Sequence, residues 1–174
     1  PDLKTLRLPA NLQPGRYRFE IVAYDAQTRT PLANPLPIDW FTVGAPPVRP
    51  VYPLNAQWQN GLQLLGGDAW PATLTPNTTL PLRLVWATTT PIKSDYTVFV
   101  HLLGPAGQII AQQDQQPLAG FYPTSGWLVD EQIEDHYALT LPATLPPGDY
   151  RLIVGWYQPT TMVRLPLVNG SDRM

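Results

Sequence analysis

Proline punctuates this chain. Of its 174 residues 22 are proline and 12 are glycine, and they fall between short runs rich in Val, Leu, Ile, Thr, Tyr and Trp. Proline removes a backbone donor and breaks a helix interior, so long helices do not fit between these stops. Short antiparallel strands joined by turns do. In Leu80, Leu82, Leu84 and Trp86 one face is apolar and Arg83 opposes it. In Tyr150, Leu152, Val154 and Trp156 the pattern repeats, with Arg151 and Tyr157 on the other face. From Tyr96 to Leu103 both faces are largely apolar, as in a central strand. Strands are expected near 3–8, 16–24, 38–43, 61–66, 79–87, 95–103, 107–113, 135–141 and 149–157, with a hairpin turn at Pro105-Ala106-Gly107. The fold class is all-β: an antiparallel, immunoglobulin- or fibronectin-like sandwich with a partial second copy at the N-terminus.

That second copy is written in the sequence. LPANLQPGRYRFEIVAY runs from Leu8 to Tyr24, and LPATLPPGDYRLIVGWY from Leu141 to Tyr157. The offset of 133 holds outwards without a gap, so that Asp2 meets Asp135, Leu6 meets Leu139, Thr28 meets Thr161 and Leu32 meets Leu165. Pro14-Gly15 and Pro147-Gly148 form corners, because proline presets a turn and glycine accepts positive φ. Tyr17 and Tyr150 follow them in the pattern of a tyrosine corner, whose hydroxyl bonds the backbone a few residues upstream. Residues 1–44 then read as the closing strands of one sandwich, 45–53 (APPVRPVYP) as a stiff linker, and 54–174 as a second sandwich. The second copy shows no counterpart of the closing PIDWFTV (37–43). The chain thus reads as a piece of a longer polypeptide. Its N-terminal strands are expected to pack on the second copy, in the same chain or in a strand-exchanged dimer.

Charged residues make up only 14% of the chain and net charge is −2, with the bases scattered. That argues against a nucleic-acid partner. There is no cysteine, which removes disulfides, thiolate zinc sites and a cysteine nucleophile together. No apolar run reaches the roughly 20 residues of a membrane helix, so this segment carries no such span. The polarity comes from Thr, Gln and Asn, which suits an extracytoplasmic surface.

DYTVFVHLLGPAGQIIAQQDQQP, then YPTSGW, then DHYALTLPATLPPGDYRLIVGWY and RLPL resemble a β-sandwich module of large bacterial membrane proteins. Those proteins often carry multi-pass, glycosyltransferase-like segments. The resemblance covers about residues 56–167 and, in part, 2–43. It implies a cell-envelope location, an accessory role and neighbouring domains of the same polypeptide as partners. The family usually places Pro-Gly-Glu after the tryptophan of PTSGW, where this chain has Val129-Asp130-Glu131.

Chemistry is sparse. The long connection 114–134 carries Phe121, Tyr122 and Trp127 beside amides such as Gln115. Rings for sugar C–H faces and amides for hydroxyls make it a candidate glycan site. The competing reading is that Trp127 folds back as a lid over the sandwich. Asp130, Glu131, Glu134 and Asp135 form an acidic cluster that would suit calcium only if their oxygens converged. His101 and His136 lack metal-type spacing, and Ser125 in PTSGW is not in a nucleophile elbow. No cofactor and no catalytic activity are expected. Asn77 and Asn169 match the glycosylation acceptor pattern and read as exposed turns.

Overall fold

A computed structural model of the chain describes residues 7–44 and 48–174. It divides into two units, Pro1–Pro47 and Val48–Met174. The expected strand at 3–8 and the start of the linker at 45–47 lie largely outside the described residues.

In the first unit β1 (Gly15–Ile21) and β2 (Leu36–Val43) form an antiparallel pair. A bulge between Phe19 and Glu20 shifts the register once. The aromatic residues share one face: Phe41 lies 5.4 Å from Tyr17 and 4.7 Å from Phe19, ring centre to ring centre, both stacked.

The second unit is a β-sandwich of two four-stranded antiparallel sheets. Its strands are β3 (Tyr52–Gln57), β4 (Leu62–Gly67), β5 (Thr79–Thr88), β6 (Thr97–Leu103), β7 (Ile109–Gln115), β8 (Ile133–Thr140), β9 (Arg151–Gln158) and β10 (Val163–Arg164). One sheet has the order β3-β4-β5-β8, the other β10-β9-β6-β7. The chain crosses between sheets after β5, β7 and β8. The only helical pieces among the described residues are two short 3-10 turns, Pro117–Gly120 and Thr124–Gly126. Tyr52 and Pro53, expected in the linker, instead open β3. Pairing with β4 holds them in the sheet, Tyr52 opposite Gly67 and Pro53 opposite Gly66.

The alternation read from sequence decides which faces meet. Leu80, Leu82, Leu84 and Trp86 of β5 are buried, facing Val98, Val100 and Leu102 of β6 and Val154 and Trp156 of β9. Trp86 and Trp156 touch across the sheets at 4.7 Å, and Trp58 packs at 5.9 Å from Trp86 and 6.5 Å from Trp156. All of β6 is buried between β9 and β7, as its two apolar faces require. Its outer face carries Phe99 and Leu103, packed with Ile153 of β9 and with Tyr157.

The two copies match in the bonds of their corner and hairpin turn. Tyr17 Oη donates to Gln13 O at 2.8 Å, and Tyr150 Oη to Pro146 O at 2.6 Å. Both corners use a positive-φ glycine, Gly15 at 155° and Gly148 at 136°. Leu32 N–H donates to Ala23 O and Leu165 N–H to Trp156 O, both at 2.8 Å. Tyr24 bridges Pro31 as Tyr157 pairs with Arg164. Even the left-handed turn residue recurs, Arg29 at φ 59° and Met162 at 58°.

Burial separates the copies. Val154 is 3% exposed and its equivalent Ile21 is 58% exposed; Leu141 is 3% exposed and its equivalent Leu8 is 46%. The same hairpin is therefore seated in a sandwich in the second unit and shows its apolar face in the first. The closing strand expected to be wholly missing from the second copy has one rung. Val154 and Met174 exchange both backbone bonds, at 3.1 and 3.0 Å, where Ile21 pairs with Leu36 in the first copy.

Candidate functional site

The connection 114–134 is a plug. Trp127 is 4% exposed and Tyr122 fully buried, so neither can offer a ring face to a sugar. Trp127 meets Trp156 edge-on at 5.8 Å and stacks at 6.4 Å on Tyr122, and its indole N–H donates to Tyr122 O at 3.1 Å. A ring of this size contributes heavily to a core when it is buried. Phe121 alone of the three aromatics stays exposed. Thr124 fixes the plug to the segment that leads into β6: its hydroxyl donates to Ser94 O at 2.8 Å and accepts from Tyr96 N–H at 3.0 Å. Asp95 accepts from Ser125 N–H at 3.0 Å. The plug closes the end of the sandwich where Trp86 and Trp156 sit.

Gln115 is a stitch rather than a ligand group. Its amide donates to His136 O at 3.0 Å and to Asp135 Oδ1 at 3.3 Å, while Gln113 Oε1 accepts from Ala138 N–H at 2.7 Å. These side chains join β7 of one sheet to the exposed edge of β8 in the other, giving that edge the partners it lacks.

The four acidic residues do not form a calcium site. Among the described residues no group of three or more His, Cys, Asp or Glu could hold a metal ion. Strand alternation in β8 sends Glu134 and Asp135 to opposite faces, and Asp130 and Glu131 lie in the connection before it. Asp135 faces inward and is 1% exposed; it accepts from Tyr137 Oη at 2.6 Å, His136 N–H at 3.0 Å and Leu118 N–H at 3.1 Å. Burial pushes its carboxyl up from the ordinary aspartate range, against the pull of these bonds. Burial and the neighbouring carboxylate push the Tyr137 phenol up as well. Glu134 faces outward and pairs with Arg83 at 3.0 Å and His136 at 2.9 Å. Glu131 accepts from Tyr122 Oη at 2.9 Å and from Leu128 N–H at 3.3 Å, inside the plug. Asp130 occupies a positive-φ turn at 62°, its N–H donating to Thr88 O.

The open ground lies at the opposite end of the sandwich. A groove of about 660 Å³ runs between the sheets there, floored by Leu80, Leu82, Leu102 and Leu152 and walled by Trp70 on one side and the Pro147 to Tyr150 corner on the other. Trp70 also borders a smaller cleft of about 320 Å³ with Tyr52, Leu54 and Asp68. Trp70 is 44% and Tyr52 55% exposed. The sequence reading missed both, because isolated aromatics beside prolines carry no periodic signal.

A line of charges crosses the outer face of β5 and β8. Asp68 Oδ1 accepts from Arg83 Nε at 2.8 Å and Nη2 at 2.5 Å, and Arg83 reaches on to Glu134. The guanidinium holds the Asp68 carboxyl below its ordinary value. His101, read as a satisfied half-buried histidine, pairs through Nε2 with Asp114 at 3.0 Å and lies against Phe99. Asn77 and Asn169 both stand in exposed turns.

No family model and no curated protein matches the sequence. Among solved structures the chain is similar to a glycosyl hydrolase family 2 member from Bacteroides cellulosilyticus, with a TM-score of 0.40 at 12% identity over 65% of this chain and 14% of that one. A second family 2 structure, from Bacteroides cellulosilyticus DSM 14838, gives 0.39 and 12% over 65% and 15%. The chain therefore spans about a seventh of the length of the proteins it matches.

Proposed function

We infer that this chain is a non-catalytic accessory module of a larger bacterial cell-envelope protein, working outside the cytoplasm through contacts with neighbouring domains of its own polypeptide. The observation that carries this is the repeated hairpin. Two copies of one sandwich element, identical in corner, bridge and turn, are what tandem structural modules leave in a sequence. The low charge and the Thr-, Gln- and Asn-rich polarity support the location, as does the resemblance to modules of multi-pass membrane proteins. Protease added to intact spheroplasts of the source cell tests it. Cleavage of the module before lysis is the expected result; protection until lysis overturns the location.

A specific observation favours a second reading, glycan binding, at a place other than the plug. Trp70 and Tyr52 offer exposed rings about a cleft that also holds the Asp68 carboxylate, the groups that sugar faces and hydroxyls call for. A glycan array decides between the two. Uniform silence supports the spacer role alone. Binding that Trp70→Ala abolishes and Phe121→Ala leaves intact supports the cleft.

A further inference from the structure

The small cleft at Trp70 keeps its polar atoms free. Asp68 uses one oxygen on the protein: Oδ1 accepts from Arg83 Nε at 2.8 Å and Nη2 at 2.5 Å, and Oδ2 takes no partner among the described residues. The Tyr52 hydroxyl and the Trp70 indole N–H have no partner there either, and both rings are exposed. In the plug, by contrast, the Trp127 N–H is already bonded to Tyr122 O. The charge beside the cleft is acidic. Arg83 also donates to Glu134 at 3.0 Å, whose other oxygen takes His136, so one guanidinium serves two carboxylates. Neither lysine nor arginine lines the cleft itself. The Arg83 bonds hold the Asp68 carboxyl below its ordinary value, which keeps it ionised at neutral pH.

We propose that this cleft selects a sugar ring carrying a free ammonium group, the ring lying on Trp70 and Tyr52 and the ammonium donating to Asp68 Oδ2. The inference rests on the glycan reading above and names its ligand class. Two properties of the cleft commit it to that class. Aromatic faces attract a cation as well as sugar C–H groups. An ionised acceptor with an empty oxygen bonds an ammonium more strongly than a neutral hydroxyl or acetamide, because both partners are charged. A sugar acid would instead meet Asp68 and Glu134 like to like. At about 320 Å³ the cleft stands at the small end of ligand pockets, which run from roughly 300 to 1,000 Å³. It therefore takes one ring, with the rest of a longer glycan lying outside.

The test titrates the full chain by NMR, near neutral pH and at low salt, with trisaccharides of one backbone that differ only in the group on the second carbon: cellotriose with a hydroxyl, chitotriose with an acetamide, and fully deacetylated chitotriose with an ammonium. The deacetylated sugar should bind about fivefold more tightly than the other two, the upper range for one exposed ion pair. Added salt should shrink that advantage. Asp68→Asn should remove the advantage and keep the weaker affinity for the neutral sugars, which also shows that the variant is folded. Trp70→Ala should weaken all three. Equal binding of the three sugars, or an advantage that survives Asp68→Asn, overturns the inference and leaves the glycan reading standing. Ethanolamine binding as tightly as the deacetylated sugar overturns it too, since the ring would then contribute nothing. Silence from all three sugars also overturns it, and silence on the glycan array as well removes the glycan reading with it.

Discussion

Replacing Trp127 by alanine separates a packing role from a binding role. The side chain is almost wholly buried, touches Trp156 edge-on and Tyr122 face-on, and donates one hydrogen bond to Tyr122 O. Removing a buried tryptophan costs about 3–5 kcal/mol in transfer and cavity terms. The stranded Tyr122 carbonyl adds on the order of 1 kcal/mol if water does not reach it. A loss of about 4–6 kcal/mol is expected, a large share of the roughly 5–15 kcal/mol that holds a typical domain. Urea unfolding followed by far-UV circular dichroism measures it as a fall in midpoint at constant slope. Trp127→Phe, which keeps the ring contact and gives up the N–H, is expected to lose about half as much or less. A loss below about 1 kcal/mol for Trp127→Ala would refute the plug, since only a solvent-facing ring is removed so cheaply.

Tyr150→Phe removes the corner bond to Pro146 O and leaves the ring, so a stability loss on the order of 1 kcal/mol is expected; no change in the urea midpoint would mean that the hydroxyl bond contributes nothing. Asp135 has a raised carboxyl pKa in the fold, so the folded chain holds that proton more tightly than the unfolded one. Its contribution is fully present below the unfolded aspartate value and is lost as pH rises through the higher folded value. Urea midpoints of wild type minus Asp135→Asn, followed from pH 3 upward, should therefore decline with pH, and a flat or rising difference contradicts the assignment. Asp68 is lowered by Arg83, so its contribution is present above the unfolded value and is lost as pH falls through the folded one. Arg83→Met should flatten that acid limb, and an unchanged limb between wild type and variant would show the pair to be inert. Limited proteolysis between residues 45 and 53 addresses the first unit, where two strands with exposed Leu36, Ile38 and Ile21 are not expected to hold together alone. Clean removal of that unit with an unchanged melting temperature would show that it lends the remainder no stability.

Much of the fold was legible because its signals are local and periodic. The β5 alternation from Leu80 to Trp86 set a face, the Pro-Gly-x-Tyr corners set two turns, and the constant offset set the repeat. What escaped was non-local. The start of β3 reads as linker because Tyr52 and Pro53 look like punctuation, and only their pairing with Gly67 and Gly66 makes them strand. The aromatic loop 114–134 reads as platform or as plug, since ring burial depends on Trp156 and the Ser94 to Tyr96 segment arriving from elsewhere in the chain. Asp135 sits in an acidic run, yet strand parity turns it inward while Glu134 points out. Trp70 and Tyr52 are far apart in pattern and meet only because β4 returns beside β3.

The sharpest division in this structure is between its closed and open ends. Hydroxyl-radical footprinting with residue-level mass spectrometry reads it in one experiment. Trp70 should be labelled rapidly, while Trp58, Trp86, Trp127 and Trp156 stay protected in the folded chain. Labelling of Trp127 at a rate comparable to that of Trp70 would contradict the account, and would return the binding face to the 114–134 connection.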